Sequence, residues 1–164
     1  MNSECLRIAD QLLRAFDGEA WHGPPLMKTL ADVTASQANS RPLASGHTIW
    51  ELVLHIDVWA RAALEATQGV PMPKLYGTEQ DWSTVSDTSA AAWNAATQHM
   101  LSTGQHLAEA IAGFGDARLK DIVPGREYDF YYLFHGIVQH SLYHCGQIAM
   151  LRRDALHDRP ARWL

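Results

Sequence analysis

The chain has 164 residues, of which 47% are hydrophobic and 19% charged, a composition that excludes a disordered protein. Its formal net charge of −5 argues against a nucleic-acid-binding protein, because such proteins normally carry a basic face. There is no apolar run of about 18 residues to span a bilayer, and the charged N-terminus lacks the apolar segment of a signal peptide. We therefore expect one cytoplasmic domain, 1–164, with two reduced cysteines.

Three helical segments are predicted in the first third of the chain. Residues 3–16 form the first, because apolar side chains recur there at three- and four-residue spacing, and the glycines and prolines within 18–25 end it. A short helical piece is expected over 25–33, since proline is tolerated in a first turn. Thr34 and Gln37 have the spacing of a capping box and predict another brief turn.

The second long helix is predicted to begin at Thr48, because Thr48 and Glu51 also have capping-box spacing. Its buried stripe includes His55 and Trp59. The glycine and proline within 69–71 are expected to end it.

A long crossing loop over residues 69–87 is expected to join the second and third helices, because this stretch contains Gly, Pro, Ser and Asp without a sustained period. A loop of this length in a compact domain is usually functional. The third helix is predicted from 88 to about 112, with Ser86 or Asp87 as its N-cap and the glycines of 113–115 at its end.

The fourth helix is predicted from about Asp129 to Arg153. One face of it carries residues spaced three or four apart, namely Leu133, Ile137, His140, His144, Ile148 and Leu151. The arginines of its last turn and of a C-terminal tail from about 154 to 164 are expected to be solvated; they are Arg152, Arg153, Arg159 and Arg162. Since no segment alternates as a strand would, the sequence predicts an all-α four-helix bundle.

Two histidines of the fourth helix are the clearest chemical signal. His140 and His144 are four residues apart, so their imidazoles lie on one side of the helix about 5–6 Å apart, a spacing that lets both bind one ion. Both belong to the buried stripe, where an imidazole without a partner would cost about 1–3 kcal/mol. A shared metal ion removes that cost, and His55 on the second helix is the best candidate for a third ligand.

The remaining histidines considered are left outside this site. His47 precedes the capping box and is expected to be exposed, while His99 and His106 share one face of the third helix and could form a separate polar cluster. His135 is five residues before His140 and points about 140° away from it. A pair of histidines four apart is by itself more often structural than metal-binding.

The segment His140-Ser-Leu-Tyr-His144-Cys-Gly-Gln-Ile resembles the H-x-x-x-H-x-G-Q-I signature of the DinB-like proteins. These are four-helix metalloproteins of the YfiT type, unrelated in fold to the DNA polymerase of similar name. The segment from Gly46 to Ile56, with Trp59 beyond it, is similar to the signature of their second helix. Further similarities are at Arg41-Pro42, Asp81-Trp82 and Trp93, so the resemblance covers most of the chain from about 25 to 153.

The resemblance implies a homodimer and one divalent metal ion, bound by one histidine of the second helix and two of the fourth. These positions match His55, His140 and His144. Cys145 stands where many relatives carry arginine, so the contacts of that arginine are not implied here. Because adjacent helix positions diverge by about 100°, Cys145 is expected to be a packed apolar residue and not a nucleophile paired with His144.

Three neutral imidazoles leave a dication with an open coordination position, as in catalytic sites. We expect an anion there, either hydroxide from water whose pKa the ion lowers to about 7 or a thiolate. No glutamate follows His140 in the H-E-x-x-H manner, so no catalytic residue is expected beyond the metal-bound water or thiolate. Imidazole suits several ions, and zinc, nickel, copper, iron and manganese all remain open.

Three functions are compatible with such a site. The resembling family includes thiol S-transferases, so the leading expectation is an enzyme that transfers a low-molecular-weight thiol to a small-molecule substrate. A metal-dependent hydrolase of amides or esters is the second, and a non-enzymatic metal-binding stress-response protein is the third.

Two residues of the fourth helix are expected near the ion. Gln147, three positions after His144, could orient a ligand or a bound water, or could make an ordinary interhelical hydrogen bond. Tyr143 could reach the mouth of the site, or be a half-buried aromatic residue. The tryptophans at 50, 59 and 93 are expected in the core or an interface.

Overall fold

Four long helices make up most of the chain in the computed structural model, which describes residues 3–155. In chain order the elements are α1 (Glu4–Phe16), α2 (Leu26–Leu30), α3 (Ala35–Asn39), α4 (Ile49–Thr67), α5 (Ala90–Phe114), a 3-10 helix (Asp116–Lys120) and α6 (Phe130–Ala155). These residues contain no strand. The all-α fold predicted from the sequence is therefore confirmed.

The long helices enclose one core, because α1 and α4 each pack against both α5 and α6. The largest fully buried side chains come from all four of them and include Phe16, Ile56, Leu107 and Phe134. Helices α1 and α5 are in close contact at Gly104, where a Cβ atom would lie 2.5 Å from Cε1 of Phe16. Glycine is required there because real Cβ atoms do not approach that closely.

Both predicted capping boxes are present. The hydroxyl of Thr34 accepts a hydrogen bond from the Gln37 amide, and that of Thr48 accepts one from the Glu51 amide, while each glutamine or glutamate side chain accepts from the cap's own N–H. Thr48 begins the helix that carries His55, and the apolar stripe of α4 determines which of its faces points into the bundle. His55 and Ile56 are on that buried face.

The predicted N-cap of the third long helix, Ser86 or Asp87, is wrong. Ser89 caps α5, with its Oγ accepting a hydrogen bond from the Ala92 amide at 3.2 Å. The carboxylate of Asp87 instead accepts from the Ser89 amide at 2.9 Å, so it shapes the turn before the helix. The crossing loop is correspondingly longer than predicted and runs over 68–89.

This crossing loop is attached to the connection over 121–129, which precedes α6. The Met72 amide donates to the Pro124 carbonyl at 2.8 Å. The connection itself folds back through a hydrogen bond from the Val123 amide to the Tyr128 carbonyl at 3.0 Å. Loop and connection therefore lie side by side at one end of the bundle, where both contribute residues to the pocket described below.

The structure confirms the predicted burial of two tryptophans but contradicts the predicted solvation of Arg152. Trp50 and Trp93 are buried in the core, with ring centroids 5.1 Å apart, as expected. Arg152, predicted to be solvated, is half-buried and forms an ion pair with Asp32 at 2.9 Å. Residues 156–164, which make up most of the predicted tail and include Arg159 and Arg162, lie outside the described residues. Among the helices of residues 3–155, none is long and apolar enough to cross a bilayer.

Candidate metal centre

Three imidazole rings meet between α4 and α6. The Nε2 atom of His140 lies 3.0 Å from Nε2 of His55 and 3.1 Å from Nε2 of His144. The nitrogen atoms that the three rings offer all lie within 4.8 Å of one another. His55 and His144 are buried and His140 is half-buried. The structure thus brings together the three histidines that the helical spacing singled out.

The His55 ring is oriented by Asp81, a residue of the crossing loop. Its Nδ1 atom lies 2.9 Å from the Asp81 carbonyl oxygen and 3.0 Å from the Asp81 Oδ1 atom. Both atoms are acceptors, so Nδ1 carries the proton and Nε2 presents its lone pair to the other two histidines. The same carboxylate, which is 2% exposed, also accepts from Trp59 Nε1 at 2.8 Å and from the Gly77 amide at 3.2 Å.

Gln147 orients the His144 ring in the same way. Its Oε1 atom lies 2.7 Å from His144 Nδ1, and a carbonyl oxygen can only accept. The proton of His144 is therefore on Nδ1, and its Nε2 lone pair also points at the cluster. Gln147 makes the contact that a residue orienting a metal ligand would make.

The arrangement of lone pairs fits a divalent metal ion. Nε2 of His55 and Nε2 of His144 both face Nε2 of His140, which carries at most one proton and can donate well to only one of them. A single cation accepts all three lone pairs together. Three imidazole nitrogens from two helices are a donor set suited to first-row transition metals and zinc.

The surroundings keep all three rings neutral at neutral pH. Burial, together with the smaller effects of the neighbouring His144 and His55, lowers the pKa of His140 to about 3. Burial also lowers the pKa of His55, although Asp81 opposes the effect, and it lowers the pKa of His144, where Gln147 opposes it. Neutral imidazole is the form that binds a metal ion, so protons do not compete for these nitrogens near pH 7.

The indole ring of Trp82 stacks on the His55 ring. This indole lies between two histidine rings, with centroids 3.9 Å from His55 and 3.4 Å from His47 and interplanar angles of 3° and 4°. His47 is exposed, as predicted, and its Nδ1 atom lies 3.4 Å from a carboxylate oxygen of Glu51. His47 therefore supports the site through Trp82 without facing the three nitrogens.

A pocket of about 420 Å³ opens next to the three histidines. Its walls come from α4, the crossing loop, the 121–129 connection and α6, and no described residue of α1 or α5 lines it. Tyr143 is at its mouth, with its ring 5.1 Å from that of His144. Trp59, expected in the core or an interface, is half-buried and forms part of the wall.

Asp81 and Trp82 are the site residues that periodicity could not identify. They belong to an irregular loop, so no helical spacing relates them to His55. The available signal was the Asp-Trp pair itself, which the family resemblance included without assigning it a role. Trp59 was on the correct helical face, but its indole N–H partner, Asp81, could not be inferred.

Among the other described histidines, His99 and His135 make contacts away from the metal centre. His99 Nδ1 lies 3.0 Å from Asp57 Oδ1, which also accepts from Thr103 Oγ1 at 2.7 Å, so the polar cluster on α5 is built with Asp57 instead of His106. His135 Nε2 lies 3.6 Å from a carboxylate oxygen of Glu4 on α1. Within residues 3–155, the three histidines of the centre are the one group of at least three His, Cys, Asp or Glu side chains placed to bind a single ion.

Both cysteines are free and buried. Cys145 Sγ lies 3.8 Å from the Thr29 hydroxyl, and burial raises the pKa of its thiol. Cys145 is therefore a packed residue, as we expected from its position next to His144 in the helix.

Comparison with protein families gives one clear result. The sequence model of the DinB superfamily matches residues 9–148, a span that contains α4, the crossing loop and all three histidines. Comparison with curated proteins and with solved structures gives no significant match.

Proposed function

Because the chain belongs to the DinB superfamily, we propose that it is a metal-dependent enzyme whose divalent ion is bound by His55, His140 and His144. The observation that carries the proposal is the convergence of three neutral Nε2 atoms, two of them fixed from behind by Asp81 and Gln147. Such support of the ring's far nitrogen is the usual companion of a histidine that binds metal.

The reaction we propose is the transfer of a low-molecular-weight thiol to a small electrophile. A bound dication would lower the pKa of such a thiol, so that it is nucleophilic at neutral pH. The sulfur then attacks an electrophilic carbon held in the pocket, a C–S bond forms, the leaving group departs with its electron pair, and the thiol proton passes to solvent. The protein orients the three imidazoles, and the aromatic residues of the pocket surround the electrophile.

The residues that line the pocket support a thiol, and not water, as the nucleophile. Among the described residues that line it, Asp81 supplies the single carboxylate, and its oxygens are already engaged by His55, Trp59 and Gly77. A hydrolase usually positions a general base near the attacking water. A thiol that is already ionised needs none.

Two further parts of the proposal concern location, which follows from the free cysteines, and assembly, which follows from the family resemblance. We propose that the protein acts in the cytoplasm, where low-molecular-weight thiols are kept reduced, and that it forms a homodimer. Analytical ultracentrifugation of the purified chain tests the dimer independently of the metal.

The metal centre is tested by comparing metal content in three proteins by elemental analysis. We expect about one divalent ion per chain in the wild type and in the control His99→Ala/His106→Ala/His135→Ala. The variant His55→Ala/His140→Ala/His144→Ala should contain almost none. Equal metal content in the wild type and this variant would remove the proposed centre.

The reaction is tested with 1-chloro-2,4-dinitrobenzene and a panel of low-molecular-weight thiols. We expect chloride release to require both thiol and metal. Turnover of ester or amide substrates without thiol would instead identify a hydrolase. Tight metal binding without turnover of either kind would identify a metal-binding protein that is not an enzyme.

A further inference from the structure

The pocket beside the histidines has an unusual wall, because aromatic rings make up most of it. Its volume of about 420 Å³ is within the range of about 300–1,000 Å³ typical of sites for small molecules. Two tryptophans and four tyrosines line it, namely Trp59, Trp82, Tyr76, Tyr128, Tyr132 and Tyr143. Flat apolar faces therefore dominate the surface that a substrate would meet.

Three of these rings are far more exposed than is usual for aromatic side chains. Tyr76 is 91% exposed, Tyr132 67% and Tyr143 66%. They surround the mouth of the pocket, whereas the half-buried Trp59 and Trp82 lie deeper, against the histidines. Exposed apolar area gathered at one opening is characteristic of a surface that another molecule covers. A bound molecule would remove the faces of these rings from water.

The wall also lacks positive charge. Among the described residues that line the pocket, none is lysine or arginine. A carboxylate or phosphate held between the rings of the mouth, away from the histidines, would lose its hydration without meeting a lysine or arginine of the pocket, which is costly. A cation would instead approach the dication of the proposed centre and be repelled by it. A neutral molecule meets neither cost.

We propose that the electrophilic substrate is a neutral, flat aromatic molecule without carboxylate or phosphate groups. It stacks between the tyrosines of the mouth and the tryptophans of the wall, with its reactive atom toward His140. The inference rests on the proposed function only in treating this pocket as the substrate site. The preference for a neutral molecule over an anion requires no metal, whereas the exclusion of cations rests on the proposed ion.

The test compares two probes of the same shape, neutral 2-naphthamide and anionic 2-naphthoate, by calorimetric titration of the full chain. The chain is first treated with a chelator so that the carboxylate of 2-naphthoate cannot coordinate an ion. We expect 2-naphthamide to bind at least about tenfold more tightly. Equal affinities, or tighter binding of 2-naphthoate, would overturn the proposal. Because the metal is absent, this result is independent of the metal-content test above.

Two lysine substitutions test whether the residues of the pocket cause the preference for the neutral probe. Tyr132→Lys places a cation at the mouth of the pocket, and Tyr131→Lys places the same charge on the neighbouring residue, which does not line the pocket. Both side chains are exposed on α6, where lysine is a good helix former. We expect Tyr132→Lys to tighten 2-naphthoate binding about tenfold and Tyr131→Lys to leave it nearly unchanged. An equal gain in both variants would show an effect of net charge alone and overturn the proposal.

Discussion

The His55 imidazole is held by a residue that lies 26 positions further along the chain. Asp81 offers it the backbone carbonyl oxygen and Oδ1, and the buried carboxylate is itself fixed, because its Oδ1 accepts from Trp59 and its Oδ2 accepts from the Gly77 amide. A ring held in this way loses little entropy when it binds an ion, since its rotation is already restricted. Asp81 is thus as much a part of the centre as the histidines are.

Replacing this aspartate should weaken metal binding while the three histidines remain. We expect Asp81→Ala to lower the affinity for Zn²⁺ about 10–100-fold, measured by competition with a chromophoric chelator. The control is Asp87→Ala, an exposed aspartate of the same loop whose carboxylate accepts from the Ser89 amide. Unchanged affinity in Asp81→Ala would show that the contact with His55 is only structural.

Individual residues could be predicted from the sequence where a helix relates them to one another. His140 and His144 follow from their four-residue spacing, and His55 follows from the buried stripe of α4. Asp81 and Trp82 could not be found in this way, because the path of an irregular loop depends on tertiary contacts such as the bond from Met72 to Pro124. The three histidines and Gln147 were predictable because helical spacing relates them, whereas the loop residues Asp81 and Trp82 were not.

The packing of α1 on α5 depends on a glycine. At Gly104 the two helices are so close that a Cβ atom would overlap the Phe16 ring. Phe16 is itself fully buried and cannot move aside without disturbing its neighbours. Glycine destabilises a helix by about 1 kcal/mol relative to alanine. Here the close packing of α1 on α5 offsets that loss.

Gly104→Ala should therefore destabilise the protein even though alanine favours helix. We expect a loss of about 1–3 kcal/mol in the free energy of unfolding, because the core becomes overpacked, measured by urea denaturation. The matched control is Gly113→Ala, later in the same helix, where a Cβ atom meets nothing within 4 Å. That change should be neutral or slightly stabilising. A stable Gly104→Ala protein would mean that Phe16 can repack.

The helices themselves were well predicted, and their ends less so. The capping boxes at Thr34 and Thr48 were correct because each depends on residues three apart. The start of α5 was misplaced because Ser86, Asp87 and Ser89 are all suitable N-caps. The choice among them depends on which side chain reaches the free amides once the loop has folded, and sequence spacing does not contain that information.

Asp116 joins parts of the chain that are more than a hundred residues apart. Its carboxylate accepts from the Glu4 and Cys5 amides at the start of α1, each at 2.9 Å. These hydrogen bonds lower the pKa of Asp116 from 3.8 to about 2. They attach the first helix to the 3-10 helix that follows α5, and so help to close the bundle.

The depressed pKa has a definite consequence for acid stability. A carboxyl group with a lower pKa in the folded state contributes stability above its unfolded pKa, and this contribution is lost as the pH falls from about 4 toward 2. We expect Asp116→Asn to be less stable than the wild type by a constant amount between pH 5 and 7, with the difference shrinking below about pH 4. Urea denaturation at several pH values measures it. A constant difference down to pH 3 would contradict the assignment.

The pocket takes its walls from α4, α6 and the two connections beside them, and none from α1 or α5. The described part of the molecule thus divides into a half that carries the histidines and the pocket and a supporting half, and the two share one core. Substitutions on the outward surfaces of α1 and α5 leave the ligands of the centre in place as long as the inward residues still fill the bundle. Changes on these outward surfaces can therefore alter what the supporting half presents to other molecules while the three histidines keep their positions.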